Sequence, residues 1–255
     1  MTFSAKNIKM YTYNNVQVAG SHLVFHEPTQ KWQRIEDLSE ATPIKNYKHD
    51  TVVCLRTSNN LIYPLNAYPP TKFADYDETS SPIINTIIQD SIIAHLNNSP
   101  PPTKLHDKDA TPFHHWAFHP QTMIDGKPIK DYRIGDKLPS SNAVVTGTVR
   151  TKPHNVHYYN RTLVTGNSIV KDERTQLYTR VQDIPTSHQI TSSPAPHVIY
   201  CNLTTTSGKI VIDGTEYTDF EQCSDEPLND AIDTFVTNHK NQPSLPSPAP
   251  ITPHQ

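Results

Sequence analysis

The sequence repeats itself over a long span. The stretch Tyr13-Asn14-Asn15-Val16-Gln17-Val18-Ala19-Gly20-Ser21-His22-Leu23-Val24 returns, altered, as Tyr159-Asn160-Arg161-Thr162-Leu163-Val164-Thr165-Gly166-Asn167-Ser168-Ile169-Val170. Position 13 corresponds to position 159, a shift of 146, and the same shift without a gap matches Glu27 to Glu173, Gln30 to Gln176, Trp32 to Tyr178, Arg34 to Arg180 and Asp37 to Asp183. A repeat of this length sets the architecture before any single motif does. The chain is read as two copies of one module, and each functional residue is weighed against its counterpart.

With 255 residues there is room for about two domains of ordinary size. The expected division is a first copy over 1–97, a Pro-rich linker over 98–112 containing Pro100-Pro101-Pro102, a second copy over 113–241, and a Pro-rich tail over 242–255. Such linkers are extended and semi-rigid, so the two copies are expected to be spaced by it. Twenty-three prolines, seven glycines and 35% hydrophobic residues suit a loop-rich, mainly β protein. The 22 Lys and Arg are scattered and the net charge is −3, which argues against nucleic acid as a partner.

Cys54, Cys201 and Cys223 are an odd, widely spaced set, so no disulfide framework is expected. Cys54 and Cys201 lie one residue off the constant shift, each in a strand-like run, and both read as buried core residues. The first residues are polar, with no secretory apolar region, and no apolar run approaches the ~18 residues of a membrane span. A soluble protein of a reducing compartment is expected, cytoplasmic or carried in a virion, not secreted and without a membrane span.

Alternating Tyr and Val residues over 9–24 predict short strands, interrupted by a turn or bulge at Gly20-Ser21. Positions 32–38 read as a strand entering a short turn. Thr51-Val52-Val53-Cys54-Leu55 reads as a strand buried on both faces, and Asn59-Asn60 as the turn of a hairpin returning through Leu61-Ile62-Tyr63. Ser81-Pro82 then marks a helix start, with an apolar stripe through Ile84, Ile87, Ile88 and Ile92. Glu226-Pro227-Leu228 opens a similar stripe in the second copy, and each helix is expected to pack on its own β module.

The segment Ala117-Phe118-His119-Pro120-Gln121-Thr122-Met123-Ile124-Asp125-Gly126-Lys127-Pro128-Ile129-Lys130-Asp131-Tyr132-Arg133-Ile134-Gly135-Asp136-Lys137-Leu138 resembles the opening block of Hint domains, the hedgehog/intein autoprocessing superfamily. Val18-Ala19-Gly20-Ser21-His22-Leu23 is similar to that superfamily's second block, Thr-x-x-His. Leu203-Thr204-Thr205-Thr206-Ser207-Gly208-Lys209-Ile210-Val211-Ile212-Asp213-Gly214-Thr215-Glu216-Tyr217 resembles the hedgehog-side closing block. The endings Phe73 to Tyr76 and Tyr217 to Phe220 resemble Hint-like proteins of large viruses and protists. The resemblance implies two Hint-like β modules of pseudo-twofold, horseshoe form, each followed by a short helix, with the first lacking its opening block.

In Hint chemistry a Cys or Ser at the first position attacks the preceding carbonyl, and the second-block Thr and His polarise the amide and handle its proton. Here Ala117 stands at the nucleophile position and has no attacking atom. The second block is divided between the copies: Thr165 is followed by Ser168 where the His belongs, while His22 is preceded by Ala19 where the Thr belongs. No His-Asn pair closes either copy. Ala117 is either natural or a replacement; the second defect, at Ser168, favours natural loss. Ala117, Thr165, His22, Asp75 and Asp219 are therefore vestigial site candidates. Asp75 and Asp219 recur between the copies and read as carboxylates accepting backbone hydrogen bonds at tight corners. No cofactor or metal is expected, since the spacing in His114-His115-Trp116-Ala117-Phe118-His119 matches no tetrahedral signature.

These residues point to a catalytically silent Hint-type protein, not an enzyme, serving as a structural or assembly component with protein subunits as partners. One alternative is hedgehog-type autoprocessing at the Trp116–Ala117 bond with a cysteine in place of Ala117. Another is a peptide- or glycan-binding β module.

Overall fold

The computed structural model describes residues 1–57, 59–75, 82–100, 116–153, 155–191, 198–220 and 225–241. The fold is mainly β, and all strand pairs among the described residues are antiparallel. The first copy supplies β1 (Thr2–Ser4), β2 (Met10–Tyr13), β3 (Val16–Ala19), β4 (Leu23–His26), β5 (Lys31–Arg34), β6 (Thr42–Pro43), β7 (Thr51–Val53), β8 (Leu61–Ile62), β9 (Phe73–Ala74) and α1 (Pro82–Leu96). The second adds β10 (Met123–Ile124), β11 (Lys127–Pro128) and β12 (Lys137–Leu138), then β13 (Ala143–Thr151), β14 (Val156–Tyr159), β15 (Thr162–Thr165), β16 (Ile169–Lys171) and β17 (Tyr178–Arg180). It ends with β18 (His188–Gln189), β19 (Tyr200–Thr205), β20 (Lys209–Ile212), β21 (Thr215–Thr218) and α2 (Glu226–Asn241).

The repeat in sequence is a repeat in structure. β2 and β3 form a hairpin whose turn residues Asn14 and Asn15 have φ of 48° and 64°; β14 and β15 do the same through Asn160 and Arg161 at 42° and 61°. Two successive left-handed residues give the turn whose twist matches that of paired strands, and among residues other than glycine Asn accepts that conformation most readily. Single-turn helices at Ile35–Asp37 and Val181–Asp183 follow in register, and the sheets β5-β4-β9-β8 and β17-β16-β21-β20 share one order.

β1 pairs with β13, Thr2 opposite Thr148, and on the outer sides β7 joins β1 while β19 joins β13. The ladder β7-β1-β13-β19 therefore places counterparts symmetrically and makes one sheet of the two copies. Gly147 makes this contact possible: a Cβ there would lie 2.5 Å from Thr204 Oγ1 and 2.8 Å from the Phe3 ring.

The helices cross over. α1 contacts β17 of the second copy, and α2 contacts β5 of the first. At its end α1 presents Asn97, whose side-chain amide donates to Tyr178 O at 2.8 Å and accepts from Tyr178 N at 2.7 Å. Asn241 makes the same pair of bonds with Trp32, at 2.9 and 2.7 Å. Arg180 of β17 bonds Gln89 and Asp90 on α1, and Arg34 of β5 bonds Asp233 on α2. The expectation that each helix packs on its own module thus gives way to exchange. The apolar stripes of both helices meet in one cluster with Leu23, Ala74, Ile169 and Tyr178, residues drawn from both copies.

The copies differ where the opening block lies. In the second copy that block helps build a core from Phe118, Ile124, Ile129 and Leu138 to Leu203, Ile210 and Tyr217. The first copy keeps a smaller cluster around Tyr13, Val24, Ile35 and Phe73. Its β8 and β9 are joined by a long connection over 63–72, anchored on the β2–β3 turn by Tyr68 N to Asn14 O at 3.0 Å and Asn14 Nδ2 to Thr71 Oγ1 at 2.8 Å.

Two strand expectations are corrected. Among the described residues β7 pairs with β1 alone and Val53 is 68% exposed, so positions 51–55 form an edge there, whereas Phe118 bridges to Cys201 on β19. β8 pairs with β9, not with β7, so Asn59-Asn60 does not close the expected hairpin. Cys54 is half-buried for the same reason, whereas Cys201 is buried and its thiol is pushed above the ordinary range by desolvation. The helix start at Ser81, Cys223, most of the linker, the tail, Tyr76, and His114-His115 lie outside the described residues.

Candidate functional site

The site grows from the corner after β15. Gly166 donates its N–H to Asn155 O at 2.7 Å and accepts from Gln182 N at 2.9 Å, so backbone passes close on both sides. A Cβ at Gly166 would fall 2.5 Å from Asn155 Nδ2 and 2.9 Å from the His157 ring. His157 is held by Ser187 Oγ at 2.7 Å and Asn155 Oδ1 at 3.1 Å, and Asn155 by Gln182 at 2.7 Å. Neither side chain can yield without breaking this network. Gly166→Ala is therefore expected to cost about 1–3 kcal/mol in urea unfolding, in the range of overpacking. Gly20→Ala meets the Tyr11 ring edge at 2.7 Å and should cost a comparable amount; no change at either position would contradict this packing.

Beside the corner, the Trp116–Ala117 peptide bond is gripped on both faces. Its N–H donates to Thr165 Oγ1 at 2.9 Å, and its carbonyl oxygen accepts from Asn202 Nδ2 at 3.0 Å. Ser168 Oγ lies 3.0 Å from Thr165 Oγ1 and continues the chain of hydroxyls. Ala117, Thr165, Ser168 and Asn202 are all buried. The strand context holds the bond extended: Thr165 N bonds Ala117 O at 2.9 Å, His119 N bonds Leu163 O at 2.9 Å, and Phe118 and Cys201 exchange bonds of 2.8 and 2.9 Å. A carbonyl receiving a buried amide donor and an amide nitrogen facing a hydroxyl are a polarised peptide bond. What faces it from residue 117 is a methyl group. Asn202 was not singled out from the sequence. Its signal is an Asn inside a strand buried along its whole length, where a polar side chain needs a dedicated partner.

Thr165 and Ala117 are thus brought together, and His22 is not with them. His22 lies in the first copy at the counterpart of Ser168, where its Nε2–H donates to Ala74 O at 2.8 Å and its ring stands 6.0 Å from Phe73. Burial drives its pKa below the ordinary 6.5; the Ala74 bond opposes this, Arg34 reinforces it, and Asp75 opposes it. Because the folded state holds His22 neutral while the unfolded chain protonates near 6.5, its stabilising share is complete above that pH and is lost as pH falls below it. Urea midpoints should therefore decline below pH 6.5, and His22→Gln should give a shallower decline. An unchanged slope would show that other histidines carry it.

Asp75 and Asp219 occupy identical corners. Asp219 Oδ2 accepts from Thr205 N at 2.6 Å and Thr205 Oγ1 at 2.9 Å; Asp75 Oδ2 accepts from Thr57 N at 2.7 Å and Thr57 Oγ1 at 3.2 Å. Each threonine hydroxyl also receives the N–H four residues on, Lys209 at 3.2 Å and Leu61 at 3.0 Å. The carboxylates accept backbone bonds at tight corners, as expected from the sequence. Among the described residues no group of three or more His, Cys, Asp or Glu is placed to hold a metal ion, and no helix is long and apolar enough to cross a membrane.

No protein-family model matches the sequence, and no curated protein matches it.

Proposed function

We propose that the chain is a catalytically silent protein of Hint type, built of two degenerate Hint-like modules and serving as a structural or assembly component. The observation that carries this reading is the Trp116–Ala117 bond. Thr165 and Asn202 hold it as a bond about to be attacked would be held, and Ala117 offers no attacking atom. Ser168 takes the position of a general acid without an ionisable ring, and His22 is committed to Ala74 in the other copy. Among the described residues Thr165 brings a hydroxyl to this bond, Ala117 brings no nucleophile and His22 lies in the other copy, which argues against acyl transfer. What remains is a rigid frame whose partners are other protein subunits, in a larger complex or a virus particle.

The test is Ala117→Cys in the full chain, incubated with and without added thiol. The expected result is an intact chain under both conditions. Thiol-dependent appearance of fragments of 116 and 139 residues would overturn the silent reading and establish hedgehog-type autoprocessing.

A further inference from the structure

One corner of the β5-β4-β9-β8 sheet differs in charge from its counterpart in the second copy. There Lys171 on β16 stands opposite Tyr178 on β17, and Val170 opposite Tyr217 on β21. The same ladders in the first copy set Phe25 opposite Trp32 and Val24 opposite Phe73. One residue before Phe73 and Tyr217, Lys72 therefore takes the place of Glu216. On the helices, Lys240 precedes Asn241 where Leu96 precedes Asn97. Glu216 is the hub of its corner. It accepts from the Tyr178 hydroxyl, and Lys209 Nζ stands 3.0 Å from its Oε1.

The first copy sets ammonium groups on aromatic rings instead. Lys72 Nζ lies 4.0 Å from the centroid of Phe25 and 5.8 Å from that of Trp32, and Lys240 Nζ lies 4.4 Å from the Trp32 centroid. Phe25 and Trp32 meet edge to face at 5.7 Å, and all four side chains are half-buried. A ring attracts an ammonium group but accepts none of its hydrogen bonds in full. Among the described residues no carboxylate pairs with Lys72, and nothing accepts from the Trp32 indole N–H. The carboxylates nearby are engaged elsewhere: Asp233 with Arg34 at 3.3 Å, and Glu27 with Gln30 at 2.9 Å. Beside Trp32 opens a cavity of about 350 Å³ whose lining carries Lys31 and Arg34 against one carboxylate, Asp37.

We infer that the corner formed by Trp32, Lys72 and Lys240 docks an acidic segment of a partner protein, whose carboxylate takes the role that Glu216 plays in the second copy. The Trp32 N–H and the Lys72 ammonium would serve it as the Tyr178 hydroxyl and Lys209 serve Glu216. Half-buried, charge-assisted bonds of this kind give both orientation and a fast encounter. An acidic peptide fits better than nucleic acid, because the donors gather about a single ring and do not track a phosphate backbone. The inference rests on the assembly reading only in taking the partner to be a protein. Failure to bind would leave the Ala117→Cys result standing, and cleavage in that variant would leave this corner untouched, so the two fail separately.

The probe is a labelled peptide, Gly-Glu-Glu-Tyr-Glu-Glu-Gly, titrated against the full chain by fluorescence anisotropy. Saturable binding that weakens with added salt is expected. Lys72→Glu supplies the carboxylate from within the chain and should weaken binding about tenfold, with the melting curve in place or raised. Lys6→Glu, the same charge change at an exposed residue elsewhere, should leave binding as it is. On the unsubstituted chain, iodide quenching of tryptophan emission gives a second reading. Trp32 is half-buried and Trp116 is buried in a separate cluster, so the unlabelled peptide should shield Trp32 and lower the quenching. No saturable binding, equal losses in Lys72→Glu and Lys6→Glu, or unchanged quenching overturns the inference. Tighter binding of labelled oligothymidylate, lost in Lys72→Glu, also overturns it, by assigning the corner to nucleic acid.

Discussion

Expressed alone, residues 1–97 are expected not to form a folded monomer. In the intact chain the apolar stripe of α1, with Ile84, Ile87 and Ile92 buried, closes a cluster that includes Ile169 and Tyr178 of the second copy and Leu228 and Val236 of α2. Removing the second copy uncovers that stripe and, with it, the Leu23 and Ala74 surface that α2 helps to bury. Each fully buried aliphatic side chain contributes roughly 1.5–3 kcal/mol, and whole domains are stable by only about 5–15 kcal/mol. Losing cover over several such side chains, together with the Asn97 and Asn241 bonds, is enough to decide the outcome. Size-exclusion chromatography with near-ultraviolet circular dichroism makes the measurement. The fragment should be either without fixed tertiary structure or a homodimer in which each α1 docks on its partner's β5, as α2 does in the intact chain. Addition of residues 98–255 should restore the native signal. A monomeric fragment with a cooperative unfolding transition would show that the copies are independent domains.

The second large effect is expected at Asp219. Its side chain is fully buried, and its Oδ2 takes both the N–H and the hydroxyl of Thr205, which in turn receives Lys209 N–H. Asp219→Ala leaves a buried amide without its acceptor and releases the hydroxyl that orders the next turn. Loss of a buried charge-assisted acceptor of this kind costs about 2–4 kcal/mol. Asp219→Asn keeps one oxygen and should recover part of it. Asp75→Ala should cost less, since Thr57 is only half-buried and water can replace the lost acceptor. Urea midpoints for the three variants decide it: equal losses at 75 and 219 would mean that burial does not set the difference, and losses under about 0.5 kcal/mol would remove the corner's role altogether.

Much of the fold was written locally. The 146-residue shift matched the stretches that become the β2–β3 and β14–β15 hairpins, and alternating apolar residues marked their strands, whereas the Asn turns that close the hairpins were not singled out and the single-turn helices were read only as a short turn. The recurring aspartates were legible for the same reason. The helix exchange was not, since an apolar stripe states that a face is buried and carries no address for the surface that buries it. The role of Asn202 was hidden because its partner, Trp116 O, is 86 residues away and belongs to the backbone. The misreading of 51–55 is instructive in the same way. A β-branched run marks a strand, but whether it is covered depends on a distant segment: Phe118 lies along β19, and among the described residues β7 pairs with β1 alone.

The asparagine bonds at the two helix ends have a consequence beyond holding the copies together. β5 and β17 end their sheets, and a sheet end is a template for runaway addition of strands from other molecules. A side-chain amide offers the same donor and acceptor as a peptide group but cannot be extended. Asn97 and Asn241 take up the N–H and C=O of Tyr178 and Trp32 on those two edges, which leaves these groups unavailable to a strand from another molecule. A concentrated Asn97→Ala, Asn241→Ala preparation would therefore be prone to fibril-like association even where its monomer remains folded.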